Sequence, residues 1–99
     1  MRYINLGNTD LKVSVVAFGA WAIGGRWWGG TDLNDSLDAI NTALNLGVNF
    51  IDTAPAYGLG LSEEIVGKAI KDKKRESIIL ATKCGMVWHT NANKFWYKY

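Results

Sequence analysis

Disulfide chemistry is closed to this chain as a source of stability, because its only cysteine is Cys84. A lone cysteine forms no internal bridge, so the expected setting is a reducing cytoplasm, with Cys84 read as a small packing residue. Histidine is equally scarce. His89 stands alone, with no partner at metal-ligand spacing, so no metal site is expected. The start, Met1-Arg2-Tyr3-Ile4-Asn5, has no apolar targeting run, and no signal peptide is read there. No apolar stretch approaches the roughly 20 residues that a membrane span needs. Charge is nearly balanced at +2. That excess is too small to argue for nucleic acid or an anionic surface. The one basic cluster, Lys71, Lys73, Lys74 and Arg75, follows a predicted helix and suits its negative C-terminal pole.

What remains is a globular composition. Hydrophobic residues make up 48% and charged residues 20%, which excludes a disordered chain. The length of 99 residues suits one domain. Tryptophan is abundant, with five. Trp27, Trp28 and Trp88 fall in predicted loops, where exposed aromatics often line a ligand cleft.

The apolar pattern alternates between two periods. Tyr3 to Leu6 and Leu11 to Ser14 flank turn formers and read as a hairpin. Val15 to Gly19 is a continuous apolar run, as expected of a strand covered on both faces. A glycine-rich loop follows, to Gly30. Asp32 is among the N-cap candidates for a helix whose apolar residues Leu37, Ile40, Ala43 and Leu44 recur at helical spacing. Gly47 supplies its stop signal. Val48 to Thr53 is the second parallel strand. Ser62 is read as the cap of a second helix, with Glu63 and Glu64 in its first turn and Ile65, Val66, Ala69 and Ile70 on its apolar face. Ile78 to Thr82 is the third parallel strand. Beyond Gly85 no period is visible. Strands alternating with helices give a parallel α/β sheet through right-handed crossovers.

In such sheets functional groups collect at the carboxyl ends of the strands. Asp52 and Lys83 occupy that place on successive strands, which as neighbours lie about 5 Å apart. Tyr57 follows in the loop after Asp52. An ammonium beside a phenol favours the phenolate. Tyr57 can then deliver a proton to a developing alkoxide while Asp52 holds Lys83 charged and oriented. Spacing alone leaves a second reading open: a structural Asp–Lys pair at a barrel rim, with Tyr57 as packing. Gly19, Gly24 and Gly25 lack the tight Gly-x-Gly-x-x-Gly turn that opens directly into a helix, so a Rossmann fingerprint is not supported. Gly58 to Ser62 reads as a capped turn, since Glu63 and Glu64 oppose a phosphate there.

These residues resemble the aldo-keto reductase family. Phe18-Gly19-Ala20-Trp21 is similar to its first strand and loop. Phe50 to Gly58, followed by Ser62-Glu63-Glu64-Ile65-Val66-Gly67, is close to its signature, and Ile79 to Gly85 resembles its third strand. The resemblance implies a parallel (β/α)8 TIM-type barrel. Residues 1–99 would be its N-terminal part: the hairpin, three strands and two helices. It implies hydride transfer from a nicotinamide cofactor, usually NADPH, to a small aldehyde or ketone. Tyr57 matches the family's proton donor, Lys83 the lysine that assists it, and Asp52 the carboxylate that pairs with the lysine near the nicotinamide ribose. Ala20 and Trp21 match positions close to the nicotinamide. Trp27, Trp28 and Trp88 would line the substrate mouth. The family's catalytic histidine ends a fourth strand, and His89 does not match it. The chain is therefore expected to be incomplete, with open sheet edges that self-associate or pair with a complementing chain. The alternative function is a non-catalytic fragment assembled through those edges.

Overall fold

The computed structural model describes residues 1–25, 32–88 and 95–97. An antiparallel hairpin comes first, β1 (Tyr3–Asn5) with β2 (Lys12–Ser14), and Ile4 opposite Val13. Then come β3 (Phe18–Gly19), α1 (Leu33–Asn45), β4 (Phe50–Asp52), α2 (Leu61–Ile70) and β5 (Ile79–Ala81). β3, β4 and β5 form one parallel sheet in that order.

Alternation along β4 assigns the two faces of this sheet. Ile51 is fully buried while Phe50 and Asp52 are half-buried. Ile51 is in register with Phe18 and Leu80, and all three pack with Ile40 of α1 and with Ile65, Val66 and Ala69 of α2. This is the helix-facing core. Asp52 is in register with Gly19 and Ala81 on the opposite face. Its neighbours are small, and a Cβ added at Gly19 would meet nothing within 4 Å. Its strand neighbours therefore leave room for the carboxylate at the end of the sheet.

Local signals explain the helix ends. Asp32 caps α1 by accepting a hydrogen bond from the Asp35 N–H at 3.0 Å. Gly47, at φ +97°, takes the left-handed turn beyond its C-terminus. At the opposite end of the sheet from Asp52, Asn49 clasps the hairpin. It accepts from Ser14 N–H at 2.7 Å, its own N–H donates to Ser14 Oγ at 3.1 Å, and its amide donates to the Lys12 carbonyl at 3.0 Å.

Three features differ from the expectations. The strand read over Val15 to Gly19 shrinks to Phe18–Gly19, with Val15 and Val16 exposed. Ser14 Oγ donates to the Val16 carbonyl at 2.7 Å, a local bond that bends the chain where a ladder was expected. Ser62 does not cap α2: Gly60, in the left-handed region, is the N-cap, and no side chain bonds there. Beyond Gly85, where no period is visible, β6 (Met86–Trp88) pairs antiparallel with β7 (Phe95–Tyr97).

Candidate active site

Lys83 sits two residues past β5 and reaches back across the end of β4. Its Nζ lies 3.1 Å from each Asp52 carboxylate oxygen and 2.8 Å from the Thr53 carbonyl. The side chains of Lys83 and Asp52 remain 49% and 44% exposed. Ion pairs so open to water contribute only about 0–1 kcal/mol to stability. Stability alone therefore gives little reason for the pair, and its value lies in fixing the ammonium in place. Partial desolvation lowers the Lys83 pKa, but hydrogen bonds to Tyr57 and Asp52, together with their charges, outweigh it. The net result lies above the ordinary 10.5. The stabilisation linked to this proton is fully present below pH 10.5 and is lost as pH rises through the higher folded value. Lys83 is thus an ammonium throughout the neutral range.

Tyr57 completes the group. Lys83 Nζ is 4.9 Å from the centre of its ring. Trp21 also stacks against it, with ring centres 6.1 Å apart and planes at 29°. The loop carrying Tyr57 is shaped by backbone conformation. Gly58, Leu59 and Gly60 are all left-handed, at φ +66°, +56° and +102°. Such a run is costly for leucine, and strain of this kind concentrates at functional sites. It turns the chain sharply from Tyr57 into α2. Trp21 is positioned by a 3-10 turn over Ala22–Gly24. That turn meets the Tyr57 loop backbone to backbone: a Cβ on Gly24 would lie 2.6 Å from the Tyr57 carbonyl carbon and 2.7 Å from Gly58 N. A Cβ on Gly58 would strike the Gly24 carbonyl oxygen in return. Glycine at both positions lets the two loops touch.

Ala54, Pro55, Ala56, Tyr57, Lys83, Cys84 and Met86 line a recess of about 240 Å³ beside this group. Cys84 is exposed there, not packed as the sequence suggested. Nothing in the sequence pattern marked Pro55 or Met86 as lining residues. A larger recess, about 320 Å³, lies below Tyr3, Val48 and Ile78 and is remote from the group.

The structure thus gathers Asp52, Tyr57, Lys83 and Trp21 at one end of the sheet. Ala20, whose N–H donates to the Asp52 carbonyl, is fully buried. Trp27 and Trp28 lie outside the described residues. Trp88 lies on β6 rather than in a loop. The donor set suits part of a nicotinamide nucleotide site. The Asp52 carboxylate is 44% exposed and chemically able to accept from a sugar hydroxyl, and Trp21 offers a half-exposed ring beside Tyr57. The match ends there, because nothing in the described group addresses a diphosphate.

A parallel sheet covered by helices, with polar side chains gathered at the carboxyl ends of its strands, fits part of a (β/α)8 barrel. The profile of the aldo/keto reductase family matches residues 15–98. The chain belongs to the aldo-keto reductase family. It is 52% identical over 92 residues to aldo-keto reductase YhdN of Bacillus subtilis (strain 168), covering 92% of this chain and 28% of that protein. It is 45% identical over 97 residues to the NADH-specific methylglyoxal reductase of Escherichia coli (strain K12), covering 96% and 30%. Its fold superimposes on a holo-form aldo-keto reductase of Bacillus halodurans with a TM-score of 0.88 and 38% identity, covering 99% of this chain and 30% of that one. These structural neighbours are (β/α)8 barrels, and the hairpin, parallel sheet and two helices are part of that fold. The chain spans 28–30% of the length of these proteins.

Proposed function

We propose that this chain is the N-terminal part of a barrel that reduces small aldehydes or ketones with NADPH, and that it supplies the proton. The observation that carries this is the convergence of Asp52, Lys83 and Tyr57 beside an open recess. A nicotinamide cofactor held at this end of the sheet would supply the hydride to the carbonyl carbon. Tyr57 Oη gives its proton to the carbonyl oxygen as negative charge develops there. Lys83 keeps a positive charge beside the phenol at all working pH values, and Asp52 fixes its direction. Asp52, Ala20 and Trp21 shape the nicotinamide end of the site. Trp27, Trp28 and Trp88 form part of the substrate mouth.

The test uses the protein carrying the complete barrel, offered NADPH and NADH in parallel with a panel of small aldehydes and ketones. Carbonyl-dependent oxidation is expected, with NADPH giving the larger kcat/KM. No carbonyl-dependent oxidation would sink the reading. Preference for NADH, as the name of the Escherichia coli relative states for that protein, would correct the cofactor alone.

A cytoplasmic setting suits the single cysteine. Among the described residues no helix is long and apolar enough to cross a membrane. The outer sides of β3 and β5 are proposed to pair with further strands of the same barrel or with a complementing chain. Residues 1–99 expressed alone are expected to self-associate in sedimentation. A monomer with a cooperative thermal transition would contradict that.

A further inference from the structure

Ser62 is fully buried, yet its hydroxyl does none of the work of a helix cap. It reaches across 42 residues and donates to the Ala20 carbonyl at 3.0 Å. Its oxygen lies 2.8 Å from Thr53 Oγ1. A serine hydroxyl has one proton, and a carbonyl can only accept. With the Ser62 proton committed to Ala20, Thr53 must be the donor to Ser62. The order is fixed: Thr53 Oγ1–H to Ser62 Oγ–H to the Ala20 carbonyl. The backbone of Ser62 adds a further tie, its N–H donating to the Tyr57 carbonyl at 3.1 Å.

Each partner belongs to a different part of the site. Ala20 precedes Trp21, and its N–H donates to the Asp52 carbonyl at 2.9 Å. The Thr53 carbonyl accepts from Lys83 Nζ. Tyr57 is the proton donor under the function proposed above, on which this inference rests. One buried residue is therefore bonded to the Trp21 loop, to the strand end that holds Lys83, and to the Tyr57 loop. The glycine contact between Gly24 and Gly58 lies between the same two loops.

We propose that Ser62 is a positioning residue for proton and hydride transfer: it sets the Ala20–Gly25 loop, and Trp21 with it, against Tyr57. Without the hydroxyl, the buried Ala20 carbonyl loses its side-chain partner and the loop loses this tie to the residue that is bonded to the Tyr57 loop. Reacting groups tolerate little displacement, and a misplacement of about 1 Å costs up to roughly 100-fold in rate.

The experiment compares Ser62→Ala with wild type in the complete protein. Single-turnover hydride transfer is expected to fall about 10- to 100-fold, with the carbonyl KM within about threefold. In the variant without ligands, the amides of Gly24 and Gly25, which close the 3-10 turn, are expected to exchange hydrogen faster than in wild type, with those of α1 unchanged. A lowered melting temperature with an unchanged transfer rate and unchanged exchange at Gly24 and Gly25 would reduce Ser62 to a stability role and overturn the inference. If Ser62→Ala does not fold, Ser62→Cys decides. It nearly keeps the shape but offers the Ala20 carbonyl only a weak S–H donor, and wild-type transfer and exchange in that variant would also overturn it. If wild type shows no carbonyl reduction, the proposed function fails separately, and the exchange measurement still judges the role of Ser62.

Discussion

Tyr57→Phe, made in the complete barrel, is expected to lower carbonyl reduction roughly 100- to 10,000-fold, the usual contribution of a positioned general acid. The substitution removes the phenol oxygen and its hydrogen bond with Lys83 but keeps the ring. The phenyl ring keeps the stack with Trp21 at 6.1 Å and the contact with Lys83 at 4.9 Å from its centre. It also keeps the wall of the 240 Å³ recess. Asp52 continues to hold Lys83 at 3.1 Å. Folding and nicotinamide binding are therefore expected to survive, and the loss should appear in kcat. The check is a cofactor titration beside steady-state kinetics on one preparation. Near-normal turnover in the mutant would remove Tyr57 from the chemistry. Equal loss of cofactor binding and turnover would show instead that the phenol holds the site together.

Much of this site is legible in the sequence because strand ends are local signals. An apolar run followed by Asp52, and another followed by Lys83, puts both groups at the same end of a parallel sheet once the strands are neighbours. The register then brings them together without further information. The Asp32 cap and the Gly47 stop are legible for the same reason: each acts within one turn of its own helix. Ser62 is misread because its local surroundings, followed by Glu63 and Glu64, look like a helix start. A long-range bond to Ala20 takes the hydroxyl instead. The β6–β7 pairing is invisible because it is a matter of cross-strand register, Val87 opposite Trp96, rather than of a repeat along the chain. The interlock of Gly24 with Gly58 is beyond any local pattern. Both glycines look like ordinary loop residues until the two loops are seen to touch.

That interlock carries the largest expected effect on stability. Gly58→Ala places a Cβ against the Gly24 backbone at a residue whose φ is +66°. The left-handed conformation costs an alanine about 1–2 kcal/mol. Forcing backbone atoms apart costs about 1–3 kcal/mol more. Against a typical total of about 5–15 kcal/mol, a combined loss of roughly 2–5 kcal/mol is severe. The neighbours separate the two causes. Gly60 is also left-handed, at φ +102°, but a Cβ there meets nothing within 4 Å, so Gly60→Ala should show only the conformational cost. Gly67 lies inside α2 with an ordinary φ and open space, so Gly67→Ala should stabilise by up to about 1 kcal/mol. The expected order of melting temperatures is Gly67→Ala, wild type, Gly60→Ala, Gly58→Ala, measured by thermal denaturation of the complete protein. Equal losses at Gly58 and Gly60 would mean that the loops do not press on each other. The same collision moves the Tyr57 loop away from Trp21. Gly58→Ala should therefore also lose turnover at temperatures where it is fully folded, whereas Gly60→Ala should lose less.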